Sequence, residues 1–177
     1  VIFKATAITG VTVVESTPIS DERGSFSRLH CPDDFEAGGH PFAPAQTSMA
    51  RNVLAGTLRG LHWQAEPEAE TKLVRVTRGR VFDVAVDVRP ESPTHRQWFG
   101  IELDADGGRA LLLGPGIAHG YVTLEPCTEL IYQIYPSFRS GFGRGARWND
   151  SAFGIQWPRE PSVIGERDAG YADYARG

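Results

Sequence analysis

The 177-residue sequence predicts a mainly β fold, a jelly roll or related barrel with a few short helices packed outside it. Three observations carry that expectation. Twenty glycines and twelve prolines punctuate the chain, which suits many short strands joined by turns better than a helical bundle. Between these breaks lie short runs with the two-residue alternation of half-buried strands. No internal repeat, linker or low-complexity tract divides the sequence, and its length fits one sizeable core, so 1–177 is read as a single domain.

Taken in order, Val11-Thr-Val-Val-Glu15 reads as a strand, closed by Pro18. Asp21-Glu-Arg-Gly24 is a turn in which Gly24 can take φ > 0, and Ser25 to Arg28 continue extended. Pro32 to Glu36 begin a short helix, with proline first, acids in the first turn and Gly38-Gly39 as the stop. The segment to Thr47, with Pro41 and Pro44, reads as loop. Leu54 to Gln64 is extended but holds Gly56 and Gly60, and a glycine inside a strand often marks a bulge or a close backbone approach. Strict alternation would send Arg59 and His62 to opposite faces; a bulge at Gly60 would bring both to one side. The sequence leaves both arrangements open.

Leu73 to Arg78 and Arg80 to Val88, joined at Gly79, read as a hairpin. In its second arm Val81, Asp83, Ala85 and Asp87 share one face, opposite the fully apolar Phe82, Val84, Val86 and Val88. That pattern suits a sheet with one side on a core and the other lining a wet cavity; solvent exposure of the acids is the alternative. Trp98 to Leu103, Ala110 to Leu113, Ala118 to Leu124 and Glu129 to Tyr135 supply further strands. The tail, with Trp148-Asn-Asp150, Trp157-Pro158 and Asp168, is expected to add the outer helices.

A net charge of −4 leaves no electrostatic footprint for nucleic acid, so an anionic ligand needs a local cationic pocket. No apolar run approaches the roughly 18 residues that span a bilayer, and no membrane partner is expected. The first residues lack the basic start and apolar stretch of a secretory leader, and Cys31 and Cys127 are expected as reduced thiols in the cytoplasm.

The chemistry concentrates in Gly56-Thr-Leu-Arg-Gly-Leu-His-Trp-Gln64 and the nearby Thr71-Lys72-Leu73-Val74. Within them lie an imidazole that titrates near neutral pH and two fixed cations that could hold an anion beside it. Metal-binding jelly-roll barrels usually carry two histidines one residue apart, and here the second position is Gln64, a poor ligand for Zn or Fe. His62 and His119 alone fall short of the three protein ligands a catalytic metal normally takes, so neither metal nor other cofactor is expected. The remaining option is acid–base chemistry. His62 could remove a proton from a carbon beside a carbonyl, provided Lys72 or Arg59 stabilises the enolate. Tyr132 could return a proton from the other side, and Asp168 or Asp83 could fix the imidazole tautomer.

The sequence resembles the dTDP-4-dehydrorhamnose 3,5-epimerase family. The likeness is carried, in order, by Asp21-Glu-Arg-Gly-Ser-Phe26, Arg59-Gly-Leu-His-Trp-Gln64, Lys72-Leu-Val-Arg75, Asp83-Val-Ala-Val-Asp-Val-Arg89, Ala118-His-Gly-Tyr121, Tyr132, Trp148-Asn-Asp150 and Trp157-Pro158. It implies a cupin jelly-roll barrel, a homodimer, and metal-independent epimerisation of a nucleotide-diphosphate 4-keto-6-deoxy sugar at C3 and C5. On that likeness His62 is the base, held by Asp168; Lys72 steadies the enolate oxygen; Tyr132 is the acid. Arg59, His119, Asp83 and Gln46 would belong to the substrate site. Arg23 and Phe26, on a strand exchanged between subunits, would reach the nucleotide. Ser137-Phe138, where the family often has two tyrosines, keeps open an inversion at C3 alone. A non-catalytic sugar-nucleotide-binding barrel and a metal-dependent enzyme on the same barrel are the other readings.

Overall fold

In the computed structural model, which describes residues 1–174, the chain opens with β1 (Ile2–Ala5) antiparallel to β2 (Val11–Glu15). A two-stranded ribbon of β3 (Ile19–Asp21) and β4 (Gly24–Phe26) follows, turned at Glu22-Arg23 with Gly24 at φ +123°. Helix α1 (Pro32–Ala37) places proline in its first turn and buries Phe35 against Phe3 and Phe42. It ends where the Gly38 N–H returns to Asp34 O at 3.1 Å. Next come β5 (Gln46–Asn52), β6 (Thr57–Gln64), β7 (Thr71–Arg78), β8 (Arg80–Asp87) and β9 (Trp98–Asp104). Then follow β10 (Arg109–Leu113), β11 (Ile117–Thr123), β12 (Thr128–Tyr135), β13 (Gly143–Gly145), β14 (Val163–Ile164) and the four-residue α2 (Glu166–Ala169).

Apart from the β3-β4 ribbon, these strands make two sheets, as a jelly roll requires. The first runs β1-β2-β10-β7-β12-β5 and the second β13-β6-β11-β8-β9, with β14 added to β6 in parallel. Inward residues of both, among them Val74, Leu111, Val81, Ala85 and Leu103, meet in the main core. The outer face of each sheet is covered as well. Helix α1 and Phe42 pack over Val14, Leu73 and Leu112 of the first. Over the second, Phe153, Trp157 and Tyr174 of the tail cover Val84, Val86 and Val88. Asp150 ties that tail down by accepting the N–H groups of Ala152 at 2.8 Å and Tyr174 at 2.5 Å.

Three expectations are corrected. The arms flanking Gly79 are not a hairpin: β7 lies between β10 and β12 of the first sheet, and β8 between β11 and β9 of the second. Gly79, at φ +73° with a Cβ position that would fall 2.5 Å from Thr128 Oγ1, is a corner where the chain changes sheet. The segment before Thr47 is loop only as far as Ala45, since β5 starts at Gln46 and pairs along β12. Among the described residues the tail from Trp148 onward adds one two-residue strand, β14, and one helix, rather than several helices. The alternation in β8 holds, and Asp83 and Asp87 are 0 % exposed, so neither is a solvated surface acid.

Candidate active site

The bulge at Gly60 aims the first two functional groups. Along β11, His119 and Tyr121 are two residues apart; their partners on β6, His62 and Arg59, are three apart. One extra residue on β6 therefore turns Arg59 and His62 to the same side. Gly60 sits at φ +123°, and a Cβ there would lie 2.5 Å from Gly120 Cα and 2.8 Å from His119 O. Only glycine suits both the conformation and the space.

The facing sheet contributes in register. On β12, Ile134 lies between Gln46 of β5 and Lys72 of β7, and Tyr132 lies between Ser48 and Val74. Gln46, Tyr132 and Lys72 thus stand on one side of a cavity of about 860 Å³, and Arg59, His62 and His119 on the other. The tail closes it with Asp168. Arg51, Arg59, Lys72, Arg144 and Arg167 line this space against only two carboxylates, Glu70 and Asp168. The local cationic pocket demanded of an anionic ligand is present in a chain of net negative charge.

His62 Nε2 lies 2.7 Å from Asp168 Oδ1, and Asp168 Oδ2 accepts the Gly60 N–H at 3.0 Å. Burial opposes ionisation of Asp168, yet these two hydrogen bonds and the nearby positive charge of Arg167 hold its carboxyl below its ordinary value. An ionised carboxylate only accepts, so Nε2 carries the proton of the neutral imidazole and Nδ1 keeps its lone pair. The choice between Asp168 and Asp83 as partner of His62 is thereby made. Asp83 instead receives His119 Nε2 on both oxygens at 3.0 Å.

Lys72 and Glu70 form an ion pair at 2.7 Å, with side chains 11 % and 9 % exposed. Arg59 Nε donates to Asn52 Oδ1 at 3.0 Å, and the Tyr121 hydroxyl donates to the same oxygen at 3.3 Å. Burial pushes the Tyr121 phenol up to about 12, so it stays a donor. Gln46 takes the Phe138 N–H at 3.1 Å and donates to Ser48 Oγ at 3.2 Å. Gln64 is spent on structure, holding Glu68 O and the Arg139 N–H.

Of the residues expected at the site, His62, Lys72, Tyr132, Asp168, Arg59, His119 and Gln46 line one cavity. Three do not. Asp83 sits behind His119, and its expected place in direct contact with substrate is corrected to a support of that ring. Arg23 and Phe26 lie on the exposed ribbon, with Arg23 paired to Asp21 and Phe26 71 % exposed. Glu70 and Asn52 were not among the expected site residues, and Tyr121, although part of the Ala118-His-Gly-Tyr121 motif, had no expected role. Glu70 had a signal, since residues two apart in extended chain share a face and it precedes Lys72 by two. Asn52 had none, because its role depends on Arg59 and Tyr121 arriving from other strands. Among the described residues, no group of three or more His, Cys, Asp or Glu is arranged to hold a metal ion.

Comparison with known proteins agrees with this geometry. The dTDP-4-dehydrorhamnose 3,5-epimerase family model matches residues 5–175. The Pseudomonas aeruginosa dTDP-4-dehydrorhamnose 3,5-epimerase is 40 % identical over 170 residues, covering 94 % of this chain and 93 % of that protein. A Bacillus anthracis enzyme of the same name, solved with TDP and pyrophosphate bound, superposes with a TM-score of 0.94 at 34 % identity, covering 98 % and 99 % of the two chains. ChmJ, a 3'-monoepimerase from Streptomyces bikiniensis solved with dTDP-quinovose, gives 0.88 at 29 % identity, covering 95 % and 85 %. From its fold, its cavity and these matches, the chain belongs to the dTDP-4-dehydrorhamnose 3,5-epimerase family and is an isomerase of the epimerase type.

Proposed function

We propose that this enzyme inverts C3 and C5 of a dTDP-4-dehydro-6-deoxy-hexose without a metal, through an enolate at the C4 ketone. One observation carries the reading: a carboxylate-held imidazole on one sheet faces a phenol and a lysine on the other across a single cationic cavity. Nδ1 of His62 takes the proton from C3, whose C–H is acidified by the adjacent carbonyl. The electron pair moves onto the carbonyl oxygen, and the Lys72 ammonium stabilises that charge as it develops. Tyr132 then delivers a proton to the opposite face of the carbon, and the ketone reforms. His62 then releases its proton to solvent and Tyr132 regains one from it, and the same cycle at C5 completes the reaction. Asp168 keeps the imidazole in the reactive tautomer and stabilises the imidazolium that forms. Arg59 and His119 bind the sugar–diphosphate, and Gln46 belongs to the same substrate site.

We also propose a homodimer. Among the described residues the ribbon bearing Arg23 and Phe26 pairs with no other strand, and its exposed side chains are free to reach into the site of a second copy. The reading treats the chain as a single domain working in the cytoplasm, where Cys31 and Cys127, both unpaired, stay reduced. Neither nucleic acid nor membrane is a proposed partner, and among the described residues no helix is long and apolar enough to cross a bilayer.

A second reading, inversion at C3 alone, has Phe138 in its favour, because this hydroxyl-free ring lines the cavity beside Gln46. Turnover of dTDP-4-keto-6-deoxyglucose in D2O separates the two. Deuterium at C3 and C5 is the expected outcome; label at C3 only moves the enzyme to the second reading. Label at neither carbon overturns both.

A further inference from the structure

Beyond Asp168, the charged partner of His62, lies an aromatic contact with no role in the chemistry described so far. His62 makes one hydrogen bond to the described residues, through Nε2, and its side chain is 37 % exposed. A single bond at one edge leaves the ring free to swing about its own side-chain torsions. Tyr171, in the chain just beyond α2, supplies a second hold. Its ring meets the imidazole edge to face, with centroids 6.0 Å apart and planes at 69°.

Two further features fix Tyr171 there, and a third shows which part of it matters. Gly145 of β13 is the register partner of His62, and a Cβ at Gly145 would collide with the Tyr171 ring, so only glycine admits it. The Arg167 guanidinium lies 5.6 Å from the ring centroid, a cation–π contact made by the residue next to Asp168. The Tyr171 hydroxyl is buried with no hydrogen-bond partner among the described residues. A buried phenol without a partner carries a desolvation cost and no compensating bond, so the ring, not the hydroxyl, is the useful part.

We propose that Tyr171 is a positioning residue for the base: its ring is a wedge between α2 and β13 that holds the His62 imidazole in line with Asp168. The proposal rests on His62 acting as the base. It does not place Tyr171 in contact with substrate, since Tyr171 does not line the cavity.

The test compares Tyr171→Ala, Tyr171→Phe and Tyr171→Leu in turnover of dTDP-4-keto-6-deoxyglucose, with C3 deuterium exchange and TDP binding measured alongside. Tyr171→Ala is expected to lower kcat and the exchange rate together by about tenfold, a loss typical of sub-ångström misplacement, with KM and TDP affinity held within about twofold. Tyr171→Phe restores kcat to within about twofold, as the edge contact survives without the hydroxyl. Tyr171→Leu fills the space without an aromatic edge and lowers kcat in the same way; it gives the answer should the alanine variant not fold. Unchanged kcat in Tyr171→Leu, or a loss in Tyr171→Phe equal to that in Tyr171→Ala, overturns the proposal. His62→Ala run beside them keeps the two claims apart. If it still exchanges C3 at the native rate the base assignment fails; if it is inert while Tyr171→Leu is normal, only the wedge fails.

Discussion

Asp83 and Asp87 stand on the same strand, on the same face and at the same zero exposure, yet they do different work. Asp87 is saturated. It takes the Arg89 backbone N–H, two Arg89 side-chain N–H groups and the hydroxyls of Ser92 and Thr94, all within 3.0 Å. Among the described residues Asp83 receives only the imidazole of His119, and that ring opens onto the cavity. One carboxylate closes a loop on itself, and the other holds a group that faces outward. Burial does not tell a functional acid from a structural one; what its partner touches does.

That contrast predicts two kinds of damage, turnover at the cavity end and stability at the Asp87 end. The largest effect falls on His62. His62→Ala should cost about 10³-fold in kcat, inside the range for general-base removal, while TDP still binds by calorimetry. Lys72→Ala should lower kcat by roughly 10²-fold, as for loss of a group acting on developing charge, and leave KM little changed. An equal loss in both constants would make Lys72 a ground-state anchor and erase its distinction from Arg59.

At the other end, Asp87→Ala strands a partly buried Arg89 and two hydroxyls. Chemical denaturation should show about 3 kcal/mol of lost stability, with kcat of the folded enzyme within about twofold. Asp83→Asn is the sharper comparison. It should cost roughly tenfold in kcat/KM through a misplaced His119, and much less stability than Asp87→Ala. If the two aspartates prove equally costly to stability and equally harmless to turnover, the contrast between them is wrong.

The smallest effect is in pH. Burial works against the charge on Asp87, but Arg89, Ser92 and Thr94 together pull its carboxyl well below the usual range. A depressed folded-state value means the stabilisation is complete above the unfolded value of about 4 and is lost as pH falls through the lowered folded value. The stability gap between the native enzyme and Asp87→Asn, followed by thermal melts, should therefore narrow only below about pH 4.

Much of the site could be read from residues alone. Gly60 within a strand raised, without deciding it, the bulge that puts Arg59 and His62 together, and the alternation of β8 marked Asp83 and Asp87 as a pair apart from its apolar face. What could not be read depended on partners distant in the chain. Gly79 announces a reversal, but whether its arms pair with each other or leave for different sheets is decided by β12 and β11, dozens of residues later. Asp168 and Asp83 were equal candidates for His62 because nothing local says which imidazole a tail will meet. Strands of three and two residues, β13 and β14, are too short for any periodicity to show.

Asp168 grips the backbone of Gly60 with one oxygen and the base with the other, although more than a hundred residues of chain lie between them. Both sheets precede it. A nascent polypeptide that has left the ribosome as far as β12 already owns the imidazole, the phenol and the lysine, yet has nothing to set the tautomer. On the proposed mechanism, the segment that follows both sheets is thus the one that arms the base.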